Sequence, residues 1–170
     1  MKPICITFAG PFGSSKSPIA QYLSCELGWP ILGNDPIRNE IKEDLLQNTF
    51  DRAEMDKRAV ERLARLIGRG QNFIFDSSSD RRWLDFLDNF NDHPYHIGVI
   101  SIDLSPEFYS QIIEAKQYAL DKTAQQTYLR HHEDFLGKYP ETVICHITDQ
   151  TFRDRLALSL QAVETFIGDK

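Results

Sequence analysis

Ile4-Cys5-Ile6-Thr7-Phe8-Ala9-Gly10-Pro11-Phe12-Gly13-Ser14-Ser15-Lys16-Ser17 is the stretch on which the reading of this chain turns. Its first six residues form a nearly continuous apolar run, as a strand buried on both faces requires. A turn rich in glycine and serine follows, and beyond it Ile19, Leu23 and Leu27 recur every four residues on one face of a helix. Strand, glycine-rich turn and helix is the context in which the pattern GxxxxGK[ST] cradles phosphate. Gly10, Lys16 and Ser17 meet that pattern, and Ser15 stands where it has its second glycine. Successive backbone N–H groups of such a loop converge on an anion, aided by the helix dipole. Gly10 and Gly13 let the chain turn tightly; Lys16 would bridge the β- and γ-phosphates, and the Ser17 hydroxyl would ligate Mg²⁺. Pro11, Phe12, Ser14 and Ser15 complete the expected nucleotide-binding segment.

Two residues depart from the ideal. Ser15 adds a side chain where a backbone N–H should meet phosphate. Pro18 falls in the first turn of the helix, where a missing N–H does the helix no harm but leaves an anion one donor short. Nucleotide binding weaker than usual, or a shifted phosphate register, is the expectation.

Outward from this stretch, strand-like and helix-like patterns alternate to the end, which predicts an α/β fold. Strands are expected at Pro30–Gly33, Asn72–Asp76, His96–Asp103 and Thr142–Ile147. Helical stripes are read at Ile37, Ile41 and Leu45; at Met55, Ala59, Leu63 and Leu66; at Trp83, Leu84, Leu87 and Phe90; and at Phe152, Leu156, Leu160, Val163 and Ile167. Ser105-Pro106 is a helix start, serine at the cap and proline at the first position. The result is a three-layer sandwich around a five-stranded parallel sheet. Residues 118–138, rich in Gln, Lys and His, are expected as a lid or helical excursion at the sheet edge.

The 170 residues suit a single domain, residues 1–170. The net charge of −6, from 19 basic and 25 acidic residues, disfavours a long nucleic-acid footprint and leaves room for a nucleotide in a local basic pocket. No apolar run approaches the roughly 20 residues that span a bilayer, so no membrane partner is expected. The Ile4–Ala9 run is too short for the core of an export signal, and the cytoplasm is the expected location. Cys5, Cys25 and Cys145 are far apart and are read as buried small apolar side chains, neither a disulfide framework nor a zinc site.

With these residues in place, the chain resembles the small nucleoside and metabolite kinases of the P-loop NTPase fold, which include adenylate, shikimate and gluconate kinases. It looks most similar to the ATP-binding domains of polynucleotide-kinase and zeta-toxin-like proteins. The resemblance implies an ATP-dependent kinase that uses Mg²⁺ and phosphorylates a hydroxyl of a small acceptor. It implies Asp35 as the group that accepts the hydroxyl proton, and Arg38 as an acceptor-binding residue. It also implies Asp76, at the end of an apolar strand, as a metal-binding acid, and Arg130 as the nearest candidate for a catalytic lid arginine. Arg81 and Arg82 are candidates for the substrate's phosphate or carboxylate.

Each of these residues has a plainer reading. Asp35 would cap the helix that Pro36 opens, with Arg38 in solvent; Asp76 would cap the Ser77–Ser79 turn; and Arg81 and Arg82 would be solvated. Asp103 ends the next strand and is read as supporting the turn into Ser105. His131 and His132 diverge on a helix and are read as solvated. Glu107–Gln126 has Lys116 and Lys122 but no arginine. Together with Ser15 and Pro18, this supports an alternative function, a nucleotide-binding relic of a kinase used for sensing or partner binding. A GTPase switch is disfavoured, because NKxD is absent and the DxxG at Asp134–Gly137 follows no apolar strand.

Overall fold

The computed structural model describes residues 2–49 and 51–169. In chain order the elements are β1 (Ile4–Ala9), α1 (Lys16–Leu27), β2 (Ile31–Gly33), α2 (Asn34–Leu45), α3 (Arg52–Gly68), β3 (Phe73–Ser78), α4 (Trp83–Asp88), β4 (His96–Asp103), α5 (Pro106–Ala115), α6 (Lys122–Lys138), β5 (Val143–Thr148) and α7 (Arg155–Gly168). The five strands form one sheet in the order β2-β3-β1-β4-β5, and every pairing is parallel.

β1 lies at the centre, and its pleat divides the core. Ile4, Ile6 and Phe8 point into one apolar layer with Ile19 and Leu23 of α1, Tyr109 and Ile113 of α5 and Val163 of α7. Cys5 and Ala9 point into the other, with Ile37 and Ile41 of α2, Met55 and Leu63 of α3, Trp83 and Phe86 of α4 and Phe135 of α6. Ile4, Ile6 and Phe8 are essentially inaccessible to solvent. At about 1.5–3 kcal/mol for each fully buried large apolar side chain, this strand anchors both layers.

Several details differ from the sequence reading; Leu45, read as part of the inner stripe of α2, is exposed at the end of that helix. β3 runs two residues past Asp76, because Ser79 is buried and its hydroxyl meets that of Thr7 at 2.5 Å, which draws the segment along β1. The β1–β3 register slips there: Ile6 faces Ile74, but Phe8 faces Ser78, so Asp76 and Ser77 lie in an irregular stretch beside the loop. Leu84 is exposed, and Phe86 takes the buried position, because α4 starts at Trp83 and the 3₁₀ turn before it resets the helical phase. Cys25 is exposed; Cys5 is buried and Cys145 half-buried.

Residues 118–138 are helical as expected over Lys122–Lys138, with Asp121 capping the start by accepting from Ala124 N–H at 2.7 Å. The helix is not a loose excursion. Phe135 packs edge-on against Trp83, and His132 is buried. No helix among the described residues is long and apolar enough to cross a membrane.

Candidate functional site

The Gly10–Ser17 segment links the end of β1 to the start of α1. Gly10 has φ 138° and Gly13 φ 76°, conformations that side chains rarely adopt. A Cβ at Gly10 would also come within 3.0 Å of Ile102. Ser15 shares the left-handed region with φ 83° and ψ 22°, so the serine that replaces glycine carries backbone strain. Its hydroxyl accepts from Arg155 Nε at 3.2 Å. The loop is held from both sides: Tyr109 donates its hydroxyl to Phe12 O at 2.7 Å, and Lys116 Nζ donates to Gly13 O at 2.6 Å.

Lys16 folds back onto its own loop. Its ammonium donates to Pro11 O at 2.5 Å, Gly10 O at 3.1 Å and Ser14 Oγ at 3.2 Å. Burial lowers its pKa to about 8, against the opposing pull of the Asp80 carboxylate. An incoming anion must therefore compete with loop oxygens for this ammonium.

A cavity of about 480 Å³ opens beside the loop, lined among others by Phe12, Lys16, Ser17, Pro18, Asp35, Arg38, Asp76, Arg81, Lys116 and Tyr118. It stands where ligands gather in open parallel sheets, at the carboxyl ends of the strands. β2 pairs with β3 so that Gly33 lies opposite Asp76, which brings the start of α2 against that carboxylate. Asp76 has its pKa raised by burial, while a hydrogen bond with Ser17 and the charge of Lys16 oppose the rise. Gly33 occupies the cap position of α2, so Asp35 is not the capping residue. Instead Asp35 Oδ1 accepts from Arg38 Nη1 at 2.5 Å, one helical turn on. Arg81 reaches the same cavity, with its guanidinium 5.1 Å from the Tyr128 ring centroid.

Two expected site residues lie elsewhere. Arg82 does not line the cavity: three residues make one turn of the 3₁₀ segment Ser79–Arg82, so neighbouring side chains diverge, and Arg82 Nε pairs with Asp85 at 2.8 Å. Arg130 is exposed on α6 and does not line the cavity either; the cation that reaches the loop from the lid side is Lys116.

Beneath the loop lies a polar chain that the sequence reading missed, buried at Asp80 and His132 and ending at the exposed His146. Asp80 Oδ2 accepts the Gly10 N–H at 3.0 Å and lies 3.5 Å from His132 Nδ1. His132 Nε2 contacts Asp103 Oδ1 at 2.6 Å, and His146 Nδ1 contacts Asp103 Oδ2 at 2.5 Å. Ser101 donates its hydroxyl to Asp103 as well. His131 is solvated as expected, but His132 is only 4% exposed. Asp103 belongs to this chain, and the Ser105 N–H is held by Asp149 Oδ1 at 2.9 Å instead. Burial works against the charge on His132, yet Asp103 and Asp80 outweigh it and raise its pKa. Burial likewise opposes the charge on Asp80 and Asp103, yet their partners, His132 foremost, hold both carboxyls below the usual range.

The central β1, the glycine-rich turn into α1 and the 2-3-1-4-5 sheet together define a fold of the P-loop metabolite-kinase type. Solved structures agree. The chain is similar to a gluconokinase from Sinorhizobium meliloti 1021, with TM-score 0.67 and 15% identity over 99% of this chain and 95% of that one. It is also similar to the shikimate kinase from Acinetobacter baumannii in complex with shikimate, with TM-score 0.59 and 17% identity over 98% and 94%. A third likeness is to a structure of the PezAT chromosomal toxin-antitoxin system of Streptococcus pneumoniae, with TM-score 0.60 and 16% identity over 88% and 69%. At such identities the likeness is one of fold. No model of a protein family and no curated protein matches the sequence.

Proposed function

We propose that this chain binds Mg–ATP on the Gly10–Ser17 loop and transfers the γ-phosphoryl group to a hydroxyl of a small acceptor. The observation that carries this reading is the convergence of Lys16, Ser17, Asp35, Arg38, Asp76 and Arg81 on one cavity, from three separate stretches of the chain. The Ser17 hydroxyl and the Asp76 carboxylate are oxygen donors that suit Mg²⁺, which is held by few protein ligands and takes the rest from water and phosphate. When bound, the ion supplies neutralisation of charge on the phosphates.

The residues then divide the work. Lys16 exchanges its loop oxygens for phosphate oxygens and, with Lys116, stabilises charge as it moves toward the leaving group. Arg38 fixes the Asp35 carboxylate through one oxygen, leaving the other to accept the acceptor hydroxyl proton. The hydroxyl oxygen bonds to the γ-phosphorus as the bond to the β–γ bridging oxygen breaks, ADP departs, and the proton passes to Asp35. Arg81 faces the acceptor side, where it suits an anionic group on the acceptor.

The test has two stages. Mg–ATP at 100 times its dissociation constant should stabilise the wild type by about 2.7 kcal/mol, and Lys16→Ala should largely lose that shift. An equal shift in the variant would place nucleotide binding elsewhere. Radiolabelled γ-phosphate transfer across a panel of hydroxylated acceptors then tests the chemistry. Binding with no transfer to any acceptor would leave a nucleotide-binding module without kinase activity.

A further inference from the structure

Resting on the nucleotide-binding reading of the loop, we infer that Arg155 is a phosphate-binding residue that stands in for the backbone donor Pro18 removes from the first turn of α1. The first N–H groups of a helix lack partners within it and are the donors offered to an anion there. Lys16, Ser17 and Pro18 open α1, and Pro18 has no N–H to offer. Ser15, immediately before them, is the residue that Arg155 reaches across 140 positions of sequence.

The guanidinium is held in a fixed plane. Its carbon lies 4.4 Å from the Phe152 ring centroid, and Phe152 is braced edge-on by Phe108 at 5.2 Å. Nε donates to Ser15 Oγ at 3.2 Å and Nη1 to Phe152 O at 2.9 Å, and among the described residues Nη2 makes no hydrogen bond. Nor does Arg155, though part-buried against the loop, form an ion pair with any described carboxylate.

Arg155 is also in unfavourable company. It occupies the first position of α7 and lies against the start of α1, two helix ends that repel a cation. Lys116, bonded to the loop at Gly13 O, has its pKa lowered by burial and by the charge of Arg155. Asp80 and Asp76 offset Lys16, and no described carboxylate pairs with Arg155. Arg155 does not itself line the cavity, but its guanidinium stands at Ser15, three residues before the missing peptide donor, and a phosphate on the loop would meet a preorganised planar donor there.

Calorimetric titration of the full chain with Mg–ATP tests the inference, with the melting temperature of each variant checked in parallel. Arg155→Gln should weaken binding about 10- to 100-fold, the loss of one hydrogen bond to a charged group. In a Pro18→Thr background, where the N–H is restored, the same substitution should cost at least about fivefold less. A cost under about twofold, or an equal cost in both backgrounds, overturns the inference. Ser15→Gly separates contact with phosphate from mere bracing of the loop. If Arg155→Gln still weakens binding once the hydroxyl is gone, the guanidinium meets the ligand; if the effect vanishes, Arg155 only braces Ser15 and the inference fails. A wild type that binds no Mg–ATP would sink the loop reading together with this one, whereas equal binding by wild type and Arg155→Gln would sink this one alone.

Discussion

Asp80→Ala should be among the most damaging single substitutions in this chain, although Asp80 does not line the proposed nucleotide cavity. The side chain is 2% exposed and serves two partners, the Gly10 N–H at 3.0 Å and His132 Nδ1 at 3.5 Å. Truncation leaves a buried amide without an acceptor, at about 1–3 kcal/mol, and removes one of the two carboxylates that hold the His132 charge. Breaking a buried charge pair by deleting one member costs about 3–5 kcal/mol; because His132 keeps Asp103, about 3–5 kcal/mol is the expected loss in all. At about 2–4 °C per kcal/mol for a chain of this size, the melting temperature should fall by about 10 °C.

The effect carries its own pH signature. Asp80 has a depressed pKa, so its contribution is present above the ordinary carboxylate range and is lost as pH falls through its folded-state value. His132 has a raised pKa, so its contribution is complete below the ordinary histidine value and is lost as pH rises through its folded-state value. The gap between wild type and variant should therefore be widest at mildly acidic pH and narrow on either side. Urea unfolding followed by circular dichroism across pH measures it. Asp80→Asn, which keeps an acceptor for Gly10, should recover part of the loss. A loss for Asp80→Ala below about 1 kcal/mol at every pH would refute the buried chain as a structural support.

Asp35→Asn should leave Mg–ATP affinity nearly unchanged while cutting turnover about 10²–10⁴-fold, measured by phosphoryl transfer once an acceptor is found; wild-type turnover would remove Asp35 from the chemistry. Nucleotide affinity should fall as pH rises through about 8, because the Lys16 ammonium loses its proton there, and Lys16→Arg should flatten that profile. The same lowered pKa means that the cost of burying the charged lysine is full below about pH 8 and is relieved above it, so the unliganded fold should gain stability as its ligand loses grip.

What was legible in the sequence was what is local. Ile4–Ala9 betrays its burial on both faces by composition alone, and the loop and helix that follow are contiguous with it. Asp35, Arg38 and Asp76 lie just beyond or at the ends of strands, so a correct strand reading delivers them to one edge of the sheet. Arg81 was legible and Arg82 was not separable from it, because the 3₁₀ turn that parts them has no periodic signature. His132 shows the limit most plainly. Helical geometry requires His131 and His132 to diverge, but nothing in the surrounding residues says which one faces inward. Its partners, Asp80 and Asp103, lie on other elements, and so does the Arg155 that reaches Ser15. Partnerships of that kind are set by packing, and spacing along the chain does not record them.

The position of β1 in the sheet has a consequence during synthesis. It is synthesised before the other four strands of the sheet, yet its neighbours are β3 and β4, which begin at Phe73 and His96. At about 5–20 residues per second, the six residues Ile4–Ala9, all but Thr7 apolar, spend several seconds in a nascent chain with neither edge paired. Parallel pairings over such separations close slowly. The strand that leads into the Gly10–Ser17 loop is thus translated before its neighbours and completed late, and for that interval it is a natural target of chaperones that hold extended apolar segments.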